Sequence, residues 1–460
     1  MARKQFSVIR DPVHGDVYLS HEEMRLLDTP EMQRLRGIKQ LGTTYLVFPG
    51  ALHTRFDHSI GTVHCVQQLI DSVNLSFSLH PAASLAIGEE ETRVIRMAAL
   101  LHDVTHIPYG HNIEDQDGIF ERHDSAYRYR RMLAPGRGLG RVLDDLGVRE
   151  TIFSILTKPG TEGRQDVPLY WMQLLSGTIA ADILDYLARD AYFTGLKLSV
   201  DQRVTSYFKI DRASGNLYID LSKHDLLRED ILSEVVRLLD ARYFFSERVY
   251  YHHAKVSAGA LVARAVDLCV RGGALSEENL YDCTDDSMAI TLEKASQRLP
   301  EAQGQRVREL LQRFRNRQLY KRACVFPAYE NEAVQQKLVE RFFAAGGAKE
   351  REAVEQRIED AVHFATGKHT HVIVYCPAKH MQLKEARIHV KWPGELGVFP
   401  LARFGDRVPR LADLERGYKN LWKFYVLCSD SDPAILDQVQ RVSQAEFAGV
   451  RNVYTLPSKG

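Results

Sequence analysis

The apolar positions of this chain recur mostly at helical spacing. In Thr92–Leu101, Leu169–Leu187 and Asp225–Val270 they return every third or fourth residue, so each segment is expected to fold as helix with one apolar face. Helices should therefore dominate the first three quarters of the chain, including the charged stretch Glu278–Gln356. Two regions break the rhythm. YFKIDRASGNLYIDL, from Tyr207 to Leu221, alternates around a Ser-Gly-Asn turn and predicts a short hairpin. Beyond His369, THVIVYCPA is β-branched and aromatic, ARIHVKW alternates, LADLERGYKNLWKFYVLC joins a helical pattern to an apolar strand, and DPAILDQVQRVSQAEF is helical again. The expected architecture is mainly α. It divides into a core with a helical extension over residues 1–368 and a smaller α+β subdomain over residues 369–460. No long Gly/Ser linker separates them, so the subdomain should pack against the core.

Composition narrows the class. With 460 residues, 45% of them hydrophobic, the chain can bury a large core. Its 60 basic and 60 acidic side chains balance, which gives no support for a surface that coats nucleic acid nonspecifically, although local basic patches stay open. The six cysteines are scattered without a CxxC pair and read as reduced thiols. The N-terminus lacks the apolar core of a signal peptide, and no apolar run is long enough to cross a membrane. A cytoplasmic protein is expected.

The chemistry is concentrated in three segments. ALLHDVTHIPYGH places His102 and Asp103 side by side, with His106 and His111 following, behind an apolar helical run. HTRFDHSIG supplies His53, Arg55, Asp57 and His58, and AADILDYLARD supplies Asp182, Asp185, Tyr186, Arg189 and Asp190. Imidazole nitrogen and carboxylate oxygen are the donors that Zn, Fe and Mn favour, and such an ion makes water a usable nucleophile near neutral pH. Asp182, Tyr186 and Asp190 recur at i, i+4 and i+8, along one face of a helix. Each segment alone reads equally well as helix-end residues or a solvated acidic stripe. Together, in the order His, His-Asp, Asp, they point to a metal-centred phosphohydrolase.

These segments resemble the HD-domain phosphohydrolases and, within them, the dNTP triphosphohydrolases of the SAM-and-HD-domain type. The likeness extends through VIRDPVHGDVYL, LLDTPEMQRLRGIKQLGTTYLVFPGALHTRFDHSIG, LLHDVTHIPYGH, DILDYLARD and RVYYHHAKV, and continues more faintly to the C-terminus. It begins almost at Met1, so no SAM-like domain is expected ahead of it. The resemblance implies His58, His102, Asp103 and Asp182 as ligands of a divalent ion, whether Mn, Fe, Mg or Zn. It implies acid/base and positioning roles for His106 and His111, supported by Glu114 and His123. Arg55 and Arg242 would meet the substrate phosphates. Gln40 and Asp190 would bind the sugar 3'-hydroxyl, Leu41 and Tyr250 would crowd its 2' position, and Tyr186 would pack beside it. A lysine that the family carries after the third-segment Asp is replaced by Ile183. For regulation, Asp28, Gln33 and Arg36 would bind a guanine nucleotide, GTP or dGTP, at a subunit interface of a homo-oligomer, a tetramer by resemblance. Val8, Asp11 and His14 extend that likeness, whereas Arg10 departs from it, and the basic residues of a second effector site are only partly visible around Arg228 and Asp230.

The implied reaction is hydrolysis of a dNTP to deoxynucleoside and inorganic triphosphate. Alternatives within the same chemistry are an HD-type nucleotidase or phosphodiesterase. A catalytically silent nucleotide sensor or single-stranded nucleic-acid binder is the alternative of another class.

Overall fold

A computed structural model describes residues 6–116, 119–177, 179–198, 202–344, 346–377 and 387–457. Its central element is the 25-residue helix α1 (Arg55–Leu79). A capping box starts it: Thr54 accepts from the Asp57 backbone N–H while the Asp57 carboxylate accepts from that of Thr54. Phe56, Val63, Val66, Leu69, Ile70 and Val73 are all buried, so α1 is covered on several sides. Helices α2 (Glu89–Leu101) and α3 (Ala181–Thr194) pack directly against it. The first turn of α2 carries Glu89, Glu90 and Glu91 at the positive end of the helix dipole, and its last turn delivers His102.

The fold is mainly α, with small β units, as the apolar spacing implied. Two long periodic segments are nevertheless interrupted. Leu169–Leu187 is two helices, Leu169–Ser176 and α3, because the chain extends at Gly177. Asp225–Val270 contains α4 (Glu229–Phe245), a π-helical turn at Ser246–Tyr250, and a fresh helix from His253 to Arg271, whose N-cap is the His252 side chain accepting from Ala254 N–H. The π turn places Tyr250 beside Phe245 and Tyr186.

The expected hairpin forms between Phe208–Ile210 and Leu217–Asp220. It is part of a larger sheet, since Leu217–Asp220 also pairs in parallel with His389–Lys391, which pairs with Phe399–Pro400. A three-stranded sheet orders Lys321–Pro327, Lys423–Cys428 and Val372–Tyr375. The strand Lys321–Pro327 falls in the stretch expected to be helical. Its buried run from Ala323 to Pro327 has no alternation to betray a strand. An N-terminal hairpin, Ser7–Asp11 with Gly15–Leu19, was likewise not in the periodic pattern. Strand pairing thus crosses residue 369 twice. One strand of the C-terminal sheet comes from before it, and two strands of the core sheet come from after it. Among the described residues no helix is long and apolar enough to cross a membrane.

Candidate metal centre and adjoining cleft

Helix α1 presents His58 one turn below its N-terminus, facing α3 and the end of α2. The His58 Nδ1 lies 2.6 Å from Asp185 Oδ2, and the His102 Nδ1 lies 2.7 Å from the Ala99 carbonyl oxygen. Both partners are acceptors, so each imidazole keeps a proton on Nδ1 and turns its Nε2, the nitrogen a metal would take, toward the other. Those two Nε2 atoms are 3.1 Å apart. Asp182 Oδ1 lies 3.1 Å from the first and 3.8 Å from the second, and Asp103 Oδ1 lies 3.5 Å from His102 Nε2. His58, His102 and Asp103 bring donor atoms within 4.8 Å of one another, a set that fits a divalent cation, and Asp182 Oδ1 borders it beside the two Nε2 atoms. Burial opposes a second proton on His58, yet with no cation present the hydrogen bonds its ring donates to Asp182 and Asp185, and the charges of Asp185 and Asp103, push its pKa up to about 10. The same negative potential would favour a metal ion.

The support behind His58 is dense. Asp185, fully buried, accepts from Arg189 through both Nε and Nη2 and lies 2.7 Å from His14 Nε2, while Arg189 Nη1 donates to Asp11. Burial alone would raise the Asp185 pKa; Arg189 and the two histidines hold it well below the usual carboxylate range. Gly61 makes the approach possible: a Cβ there would sit 1.8 Å from Asp185 Oδ1 and 2.2 Å from Arg189 Nη2.

Comparison with known proteins agrees with this geometry. A family profile described as HD domain matches residues 55–190, and one described as HD associated region matches residues 222–447. The chain thus carries an HD domain followed by an HD-associated region. It is 28% identical over 333 residues to a protein of Dictyostelium discoideum named deoxynucleoside triphosphate triphosphohydrolase SAMHD1 homolog, covering 70% of this chain and 60% of that one. The human SAMHD1 is 27% identical over 271 residues, 53% of this chain and 42% of the relative. The uncharacterized protein YwfO of Bacillus subtilis is 31% identical over 56% of this chain and 54% of its own. The chain spans about half to three fifths of the curated relatives it matches most strongly. A crystal structure of a hypothetical protein from Aquifex aeolicus shares the fold, with a TM-score of 0.64 at 20% identity, covering 95% of this chain and 100% of that one.

Within the HD domain the other sequence-derived residues fall into groups. His106, His111 and His123 cluster, with the His106 ring stacked on His123 at 3.8 Å between centroids. Burial and nearby positive charge lower the pKa of both His106 and His111, the latter to about 3, so both are neutral at pH 7. Glu114 accepts from the His123 ring at 2.9 Å and from Arg128. Although burial opposes it, His123 and Arg128 keep Glu114 ionised. His106 Nε2 lies 3.4 Å from Asp103, so the histidine cluster adjoins the metal donors.

Arg55 is not an open phosphate-facing group here. It is buried and donates to Asp103 Oδ2 at 2.7 Å. Asp190 is also engaged on both oxygens, by His53 Nε2 at 2.8 Å and by the Tyr250 hydroxyl at 2.6 Å. Gln40 Oε1 is buried with no hydrogen-bond partner among the described residues, and Leu41 packs half-buried against the core. Asp182, Tyr186 and Arg242 share a cleft of about 560 Å³.

The residues of the expected effector site are joined by local hydrogen bonds through Gln33. Asp28 is exposed at a surface pocket with Arg25, Pro30 and Arg141, whereas Gln33 donates to the Leu27 carbonyl and accepts from Arg36, whose guanidinium lies over the Phe56 ring. Asp11 and His14, read from the sequence as an extension of the effector likeness, instead brace Arg189 and Asp185 inside the HD domain. Sequence reasoning noted Asp185 and Arg189 without giving them a role. Their i, i+3 and i+7 spacing from Asp182 was the available signal, one that the i, i+4, i+8 stripe obscured.

Proposed function

We propose that this chain is a metal-dependent dNTP triphosphohydrolase that releases deoxynucleoside and inorganic triphosphate. The observation that carries the reading is the pair of Nδ1-anchored imidazoles facing two carboxylates at the edge of a cation-lined cleft. His58, His102, Asp103 and Asp182 would hold the ion. A bound divalent ion supplies Lewis acidity toward a phosphoryl oxygen and lowers the pKa of water.

The protein groups do the rest. Neutral His111 or His106 accepts the proton of the attacking water. His123, its Nδ1–H held by Glu114, packs against both rings and would join the same proton path. Attack at the α-phosphorus breaks the bond to the sugar 5'-oxygen, which leaves with a proton as deoxynucleoside. Arg242 meets phosphate charge, and Arg55 holds Asp103 in place. On the sugar side, Gln40 through its partnerless Oε1 and Asp190 would accept from the 3'-hydroxyl, Leu41 and Tyr250 would wall the 2' edge, and Tyr186 would pack beside the sugar. A ribose hydroxyl pressed on that wall would lose its hydrogen bonds. Activation by GTP or dGTP with assembly toward a tetramer, and residence in the cytoplasm, belong to the same reading.

Purified protein incubated with each dNTP and NTP plus Mn, Mg or Fe tests it. Tripolyphosphate is the expected product. Orthophosphate or ring-opened cyclic nucleotide would turn the reading to a nucleotidase or phosphodiesterase, and binding without turnover under every metal to a silent sensor or nucleic-acid binder.

A further inference from the structure

The cleft beside Asp182 has walls from distant parts of the chain. Helix α3 contributes Asp182, Ile183 and Tyr186, α4 contributes Arg242, and a segment about 200 residues downstream of α3 contributes Arg387, Ile388 and His389. That last wall is fixed by the sheet. His389 is in parallel register with Tyr218, and the Leu401 N–H donates to the Ile388 carbonyl at 2.8 Å. Arg387, just ahead of the strand His389–Lys391, is exposed, whereas Ile388 is buried and His389 half-buried, and all three border the cleft. Among its described lining residues the cleft holds three permanent cations, Lys158, Arg242 and Arg387, against a single carboxylate, Asp182. Lys158 is largely exposed and paired with Asp124, so the two guanidinium groups dominate. Asp182 itself faces His58, which joins this basic surface to the metal donors.

Resting on the phosphohydrolase reading, we infer that Arg387 is a specificity-determining residue: it grips the terminal phosphates of the substrate, so the C-terminal segment selects a polyphosphate over a monophosphate. A guanidinium matches phosphate oxygens through forked hydrogen bonds. Its position in the same lining as the apolar Ile183 brings positive charge to a cleft to which α3 contributes Asp182, Ile183 and Tyr186 but no cation. Because Arg387 is exposed, its removal leaves the buried residues beside it in place.

The test uses the full chain loaded with Mn. Binding of inorganic tripolyphosphate and of orthophosphate is measured by calorimetry, alongside kcat and KM for dATP, in wild type, Arg387→Ala, Arg387→Lys and a remote control, Arg441→Ala. Arg387→Ala should weaken tripolyphosphate binding and raise KM about tenfold while kcat falls much less, with partial rescue by lysine and no change in the control. Unchanged tripolyphosphate binding and KM in Arg387→Ala, in a protein that turns over dATP, would overturn the inference and leave the reaction standing. Arg387-dependent tripolyphosphate binding in a protein that hydrolyses no nucleotide would overturn the reaction and leave the subsite standing. Equal loss of tripolyphosphate and orthophosphate affinity would also overturn the inference, since selection by phosphate number is its content.

Discussion

Arg55 donates to Asp103 at 2.7 Å, with both side chains almost closed to solvent. The pair balances charge beside the metal donors, so Arg55→Ala leaves a buried carboxylate uncompensated. The metal-free variant should lose about 3 kcal/mol of stability. Added Mn supplies the missing counter-charge, and it should therefore raise Tm more in the variant than in wild type. Thermal melts with and without metal check this; an equal metal-induced gain in both would place Arg55 outside the site's charge balance.

His102→Ala and Asp103→Asn remove one donor each while leaving α2 intact. Bound metal after dialysis should fall from stoichiometric to near zero, and turnover should fall with it, while far-ultraviolet circular dichroism stays unchanged. Wild-type metal content in either variant would dissolve the assignment of these ligands.

Gly61→Ala tests the support behind His58. With the added methyl 1.8 Å from Asp185, either α1 and α3 separate or the Asp185–Arg189 pair swings away, at a cost of about 4 kcal/mol or more. Metal affinity should drop at least about tenfold, because His58 loses the carboxylate that fixes its tautomer. Calorimetric metal titration and denaturant melts give the two numbers.

Asp285 provides a pH signature away from the metal. Burial raises its pKa to about 6 against the pull of Lys39, which donates to it through backbone N–H and ammonium. A carboxyl raised in the folded state contributes stability that is fully present below its unfolded value of about 4 and is lost as pH rises through 6. Over that window the loss amounts to about 3 kcal/mol. Asp285→Asn should flatten the stability profile between pH 4 and 6 relative to wild type. Parallel profiles in urea melts would contradict the shift.

Guanine-nucleotide control is read from initial rates with dATP and from light scattering, each with and without GTP or dGTP. Wild type should gain rate and mass together, and Asp28→Ala should gain neither. A wild type indifferent to both nucleotides would end the allosteric reading and leave catalysis untouched.

Much of this molecule was legible in its sequence because its signals are local. The His-Asp pair at the end of an apolar run, and the hairpin around Ser-Gly-Asn, announce themselves within a dozen residues. What escaped depends on long-range placement. Nothing local to Asp11 or His14 says that they will meet Arg189 and Asp185 more than 170 residues later. Arg55 looked free because its partner, Asp103, lies 48 positions away. The strand Lys321–Pro327 was hidden by burial on both faces, which erases alternation.

The parallel pairing of Leu217–Asp220 with His389–Lys391 bears on how the polypeptide reaches its native state. A parallel ladder closing a loop of some 170 residues forms late, after its loop entropy has been overcome. Until residues near 390 have left the ribosome, one edge of Leu217–Asp220 has no strand to meet it and stays open to wrong partners. Chains shortened to residue 368 should therefore aggregate rather than yield an independent catalytic half, and the cleft wall carrying Arg387 is built only after residues near 390 have emerged.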